Sequence, residues 1–311
     1  MSTAPQQAKL SLQDDPDGQM PMPFPAAAHY AAQVMAWARE ADFTGLNVQR
    51  GISYGEHRLQ CFDAFSPHDA INAPILIFWH GGGWTNGYRE YVHFMARHVC
   101  SLGIVLVAPS YRLVTSHRLP AAFDDALACL AHVHAHAEQF GGDAGRIVLS
   151  GHSAGGHLAS LVVLRGSGGF GGLGKPSSAQ GSIRACLPIS AIMDLHHPSP
   201  PPGSLEERVY RLVLQDPRDD AALSPVNWVD SRAAGNRIPF ELTIGSQDSE
   251  RVRLSNQRLA SLLKAQNTPV ALHEHADQSH FDTHTTLAQA SHPWYAFLAQ
   301  HAHNASVSVP T

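Results

Sequence analysis

The sequence predicts an α/β fold: one domain on a mainly parallel central sheet, helices on both faces and a small cap insertion. Three observations carry this. Strand-length apolar runs rich in β-branched residues alternate with longer stretches of helical periodicity. Several runs are apolar at almost every position, as expected where both faces of a sheet are covered. Finally, residues 146–160 pass from such a run through Gly151-His152-Ser153-Ala154-Gly155 straight into a helix start.

Along the chain, residues 1–24 are polar and then proline-rich, and are expected to form a flexible lead-in to a domain over 25–300. A helix is predicted over 26–41, with Tyr30, Val34, Trp37 and Ala38 on one stripe; it can pack on the body or shape one wall of a pocket, and packing alone is the expected role. Strands are predicted at 60–65, 75–79, 104–109, 147–151, 185–190, 240–245 and 270–274. The helical stretches between them are 91–102, 121–139, 157–164 and 251–265. Residues 166–182 read as a Gly/Ser-rich excursion. Residues 194–236 are too long for a simple crossover and read as a cap over the site, and 301–311 as a flexible tail.

Composition narrows the function. Of 311 residues, 15% are charged and the net charge is −5, so no basic excess points to nucleic acid. No segment is long and apolar enough to span a bilayer, and the N-terminus lacks a signal-like apolar core. Four widely spaced cysteines without a C-x-x-C read as reduced core residues. The 21 histidines include no H-E-x-x-H, and surface histidine is the expected reading rather than metal binding. The expectation is therefore a cytoplasmic protein that does not bind nucleic acid or span a membrane. A homodimer remains open.

The glycine turn carries the chemistry. A G-x-S-x-G between strand and helix is a nucleophile elbow, in which small neighbours let strand and helix approach while Ser153 is held clear of the backbone. Upstream, the strand 75–79 ends in His80-Gly81-Gly82-Gly83-Trp84. Backbone N–H groups in such a loop suit a developing oxyanion, so Gly82 and Gly83, with Ala154 after the nucleophile, are the expected oxyanion hole. A serine hydroxyl needs a base, and the base needs an orienting acid. With a serine elbow the order is serine, acid, histidine. Asp248 follows the strand 240–245 and is favoured over Asp194, although an aspartate in a turn is usually only a cap, as it would be here for the helix 251–265. His280 lies in the loop after the last strand, with His275 and His284 as neighbouring competitors.

These segments resemble the α/β-hydrolase superfamily, on the branch shared with hormone-sensitive-lipase-like esterases. More narrowly they resemble the kynurenine formamidases (arylformamidases), in Tyr54-Gly55-Glu56, His80-Gly-Gly-Gly-Trp84, Gly151-His-Ser-Ala-Gly-Gly-His157, Asp194-Leu195, Leu223-Ser224-Pro225, Gly245-Ser-Gln-Asp-Ser249 and His280-Phe281-Asp282. His152 stands where lipase-like members carry aspartate, whereas Gly83 departs from the aromatic residue of many animal formamidases. The resemblance implies hydrolysis of N-formyl-L-kynurenine to L-kynurenine and formate, a step of tryptophan catabolism, through a formyl-enzyme on Ser153. It further implies a small-molecule substrate whose aromatic leaving group stacks on Trp84 or Tyr88, or on cap residues, with no metal or organic cofactor needed. The alternatives are a carboxylesterase for short acyl or aryl esters and, from another class, a non-catalytic binding protein on a hydrolase scaffold.

Overall fold

Seven consecutive apolar residues, Ala73–Trp79, form a strand (β3) buried at every position. The computed structural model describes residues 19–166, 178–196, 207, 213–214, 218–230 and 237–304. Flanking β3 in the chain are β1 (Leu46–Ser53), β2 (Cys61–Pro67), β4 (Val105–Pro109) and β5 (Gly142–His152). Later come β6 (Ile183–Ile189), β7 (Phe240–Gly245) and β8 (Val270–His275). They make one sheet of eight strands in the order β1-β2-β4-β3-β5-β6-β7-β8. Only β2 runs against its neighbours, pairing antiparallel with β1 and β4, while every other pairing is parallel.

The period of two along a strand divides the core between the faces. On one face Ile75, Ile77 and Trp79 pack with α3 (Leu119–Ala135), α4 (Ala154–Arg165) and α5 (Glu250–Ala265). On the other, Leu76 and Phe78 pack with α2 (Ala96–Ser101) and α6 (Pro293–His303). The first helix, α1 (Pro25–Glu40), buries Ala27, Tyr30, Ala31, Val34 and Met35, and its Tyr30, Ala31, Val34 and Met35 cluster with Tyr91. Met35 thus takes the place in the buried stripe expected of Ala38.

The structure differs from expectation at several points. β1 is an additional strand; its alternating, half-exposed residues and the register shift beside Gly51 hide it from a search for apolar runs. β5 begins at Gly142, because backbone pairing with β3 extends into the polar stretch before Ile147. The helix expected over 91–102 is divided into a 3-10 turn, Arg89–Met95, and α2. Residues 19–24, expected to be flexible, are tied to the loop after β3. Gln19 bonds both the carbonyl and the N–H of Gly87, at 3.0 and 2.9 Å, and Asn86 Nδ2 donates to Met20 O at 2.5 Å.

Residues 1–18, most of the 166–182 excursion and the tail from 305 lie outside the described residues, as does most of the proposed cap. Its described part is anchored: Ser224 Oγ accepts from Leu195 N at 2.8 Å and donates to Asp220 O at 2.8 Å. Among the described residues no helix is long and apolar enough to cross a membrane, and no group of three His, Cys, Asp or Glu could hold a metal ion.

Candidate active site

Ser153 occupies the junction between β5 and α4 with φ +53° and ψ −116°, a conformation an L-residue keeps only when its surroundings enforce it. The enforcement is steric. A side chain at Gly155 would collide with Trp79 O, and one at Gly151 with the backbone of Gly155. Only glycine allows the helix start to press this closely on the ends of β3 and β5.

The end of β7 and the loop after β8 bring two side chains to this serine. His280 Nε2 lies 2.9 Å from Ser153 Oγ, and His280 Nδ1 lies 2.7 Å from Asp248 Oδ1. The other carboxylate oxygen of Asp248 accepts from Ser190 Oγ at 2.6 Å and from Gly245 N at 2.9 Å. Asp248 is buried, which pushes its carboxyl up, but the hydrogen bond and charge of His280, aided by Ser190 and Gly245, hold it below its ordinary value. The carboxylate is therefore ionised and aimed at the imidazole. The competitors lie elsewhere. Asp194 pairs with Arg258 and accepts from His196 N, while the His275 ring packs on His292 at 5.0 Å. His284 is fully buried beneath His152, their rings 5.0 Å apart and 9° from parallel.

The loop after β3 folds back on itself, Gly82 O accepting from the N–H groups of Thr85 and Asn86 at 3.1 and 2.9 Å. Gly82 and Gly83 have positive φ, +129° and +61°, and line a cavity shared with Ser153 and His280. Their N–H groups make no hydrogen bond among the described residues. Ala154 is the first residue of α4, where helix geometry leaves the N–H without an intrahelical acceptor.

The cavity has a volume of about 320 Å³. Trp84 lines it, although the residue is only 1% exposed and its ring meets His157 edge-on. Tyr88 does not line it. Its ring instead packs edge-on against Tyr91, and it is Tyr91, three positions along the 3-10 turn, that reaches the cavity. The opposite wall comes from the N-terminal segment and α1, through Met22, Phe24, Ala27 and Tyr30, with Phe281 beside them. A pocket role for α1, and not packing alone, corrects the sequence-based expectation.

A model of the alpha/beta hydrolase fold family matches residues 76–283, which span the glycine loop after β3, the turn at Ser153, Asp248 and His280. The chain belongs to this family. Esterase LipC of Mycobacterium tuberculosis is 29% identical over 231 residues, 70% of this chain and 56% of that protein. The probable carboxylic ester hydrolase LipM of the same organism is 32% identical over 221 residues, 64% of this chain and 47% of its own. The chain thus spans about half the length of these curated relatives. Among solved structures, an inhibited esterase B from Lactobacillus rhamnosis gives a TM-score of 0.73 at 20% identity, covering 88% of this chain and 91% of that one. The butyrate-bound Est2 esterase of Thermogutta terrifontis gives 0.65 at 19% identity, covering 86% and 99%. At such identities the structural likeness concerns the fold. The relatives named here are ester hydrolases, and the narrower likeness to formamidases finds no support in them.

Within this alpha/beta hydrolase, several residues around the site were not singled out from sequence. Ser190, at the end of β6, supports Asp248 and lies 2.8 Å from Thr283 Oγ1, which donates to His280 O at 2.9 Å. A serine closing an apolar strand carries no signal of such a role. Four histidines that the sequence shows only as motif neighbours or as a competitor to His280, namely His80, His152, His157 and His284, are buried around the site. Burial pushes His80 and His157 down to about 4 and His284 to about 3, and drives His152 well below its usual 6.5.

These shifts predict acid lability. The unfolded chain protonates such histidines near pH 6.5 while the folded chain resists, so unfolding takes up protons between those values. Their contribution is intact above about pH 6.5 and is lost as pH falls toward 4, a total on the order of several kcal/mol. Urea midpoints measured from pH 8 to 4 are expected to drop steeply below 6.5. A flat profile down to pH 4.5 would show that these rings are charged or exposed.

Proposed function

We propose that the chain is a carboxylesterase that cleaves short-chain acyl or aryl esters through an acyl-enzyme on Ser153. The observation that carries the reading is the continuous hydrogen-bonded line from Ser153 Oγ through His280 to Asp248 at the edge of an apolar cavity. The ester-hydrolase relatives support the substrate class.

In this reading Ser153 Oγ attacks the ester carbonyl carbon as His280 Nε2 takes its proton, and Asp248 stabilises the imidazolium that results. Negative charge gathers on the former carbonyl oxygen and is met by the N–H groups of Gly82, Gly83 and Ala154. When the tetrahedral intermediate collapses, His280 returns the proton to the leaving alkoxide oxygen and an alcohol departs. Water then enters, gives a proton to His280 and attacks the acyl carbon, releasing a carboxylic acid and restoring Ser153. The cavity of about 320 Å³ suits a small acyl chain or a single aryl ring. Its rings, Phe24, Tyr30, Tyr91 and Phe281, suit an aromatic leaving group.

The formamidase reading stands second, favoured by His152 before the nucleophile and by those same aromatic walls. A substrate panel separates the two. Phenyl and p-nitrophenyl acetate and butyrate are expected to exceed N-formylkynurenine and formanilide in kcat/KM by about tenfold or more. Formamides ahead by that margin would overturn the esterase assignment in favour of the second reading.

A further inference from the structure

We propose that His152 and Tyr30 are positioning residues for His280, holding its loop through a directed chain of hydrogen bonds, so that α1 forms part of the catalytic apparatus. The proposal rests on the reading of Ser153, His280 and Asp248 as the working triad.

The chain begins at the His280 main chain. His152 Nε2 lies 2.8 Å from His280 O, and Thr283 Oγ1 donates to that oxygen at 2.9 Å. A carbonyl can only accept, so His152 Nε2 carries the proton. Both ring nitrogens of a charged imidazole are donors, but burial keeps this ring neutral and leaves Nδ1 a bare acceptor. Among the described residues, the hydroxyl facing it is that of Tyr30, at 3.4 Å. Tyr30 Oη in turn lies 2.8 Å from His284 Nδ1, which then acts as the donor.

Protons therefore point one way, from His284 Nδ1 to Tyr30 Oη, from Tyr30 to His152 Nδ1, and from His152 Nε2 to His280 O. The opposite sense would leave His284 Nε2 as a buried N–H with no acceptor, since that atom has no hydrogen-bond partner. A bare lone pair there, beneath the Phe78 and Phe94 rings, costs less than an unmatched donor.

The pocket for the His152 ring is built to fit. His284 stacks on one face, and a side chain at Gly81 would stand 2.7 Å from His152 Nδ1. The His152 and His280 ring centres are 5.0 Å apart, so a charged His152 would oppose the imidazolium that forms during turnover. Tyr30 makes a second contact with the same loop, its ring stacked on Phe281 at 4.8 Å. Helix α1 thus grips the loop through both a hydrogen-bonded chain and a ring stack.

The test uses the full chain and an ester substrate. His152→Leu removes the donor, whereas His152→Gln keeps an N–H₂ near the position of Nε2. We expect kcat of H152L to fall about 100-fold, the cost typical of a misplaced catalytic group, with KM changed by no more than about threefold. H152Q should recover most of kcat. The downfield proton resonance of His280 Nδ1–H, bonded to Asp248, should shift in H152L and return in H152Q. Tyr30→Phe, which keeps the ring stack, should lower kcat several-fold alone and add nothing in the H152L background, because both act through one chain.

Equal impairment of H152Q and H152L, wild-type kcat in H152L, or losses that multiply fully in the double variant would each overturn the proposal. Should H152L fail to fold, His152→Asn takes its place, since its amide sits at the Nδ1 and not the Nε2 position. Failure here is distinct from failure of the triad: an inert S153A alongside indifferent His152 variants sinks only this inference.

Discussion

Ser153→Ala is expected to lower kcat by about 10⁴- to 10⁶-fold while leaving thermal unfolding close to that of the native protein. The size follows from what the hydroxyl does. In the proposed mechanism no acyl-enzyme forms without Oγ, and only binding and the N–H donors of the glycine loop and Ala154 would remain to assist attack by water. The small structural cost follows from the site. Ser153 holds a strained backbone whose geometry is set by glycines at 151, 155 and 156, and among the described residues its side chain bonds only His280. Alanine tolerates φ +53° about as poorly as serine, so the substitution adds no new strain. Circular dichroism and thermal melts check the fold, and ester hydrolysis by active-site-titrated enzyme checks the rate. Retention of more than about one hundredth of native turnover would remove Ser153 from the nucleophile's role.

Asp248→Asn is expected to cost about 10³- to 10⁴-fold in kcat with KM little changed. Here the hydrogen-bond geometry dictates the result. Oδ2 accepts from Gly245 N–H at 2.9 Å, a donor that cannot reverse. An asparagine must therefore turn its oxygen toward Gly245 and its N–H₂ toward His280 Nδ1. That forces the imidazole into the tautomer with a bare Nδ1 and a proton on Nε2, the atom 2.9 Å from Ser153 Oγ. A protonated Nε2 cannot accept the serine proton. Ser190 Oγ, as a hydroxyl, can turn to suit either partner, so Ser190→Ala should be far milder than Asp248→Asn. Comparable losses for the two would mean that the carboxylate acts only as part of the packing.

Much of this site is legible in the sequence because its parts need unusual residues. The elbow needs glycine at 151 and 155, since backbone approaches within van der Waals contact at both, and the oxyanion loop needs positive φ at Gly82 and Gly83. Chain order then places Asp248 after β7 and His280 after β8, which meet Ser153 because β5 to β8 are successive parallel neighbours. Residues that act through tertiary contact leave no such mark. Tyr30 looks like any core tyrosine on an amphipathic helix, and its pairing with His152 spans 122 positions. Tyr88 and Tyr91 are indistinguishable in sequence, and a 3-10 turn, unforeseen there, decides which one reaches the cavity. β1 escaped because a half-exposed edge strand needs neither an apolar run nor glycine at special positions. Substrate class is the least legible layer. A histidine before the nucleophile suggested formamides, whereas the named relatives hydrolyse esters.

In the proposed reaction Ser153 is the covalent nucleophile. Its most direct test is peptide mass spectrometry of the native protein after reaction with a fluorophosphonate. One adduct is expected, on Ser153, forming in step with loss of ester hydrolysis, absent from S153A and strongly slowed in D248N. Full hydrolytic activity in protein that carries no adduct, or inactivation with the label on another residue, would contradict it.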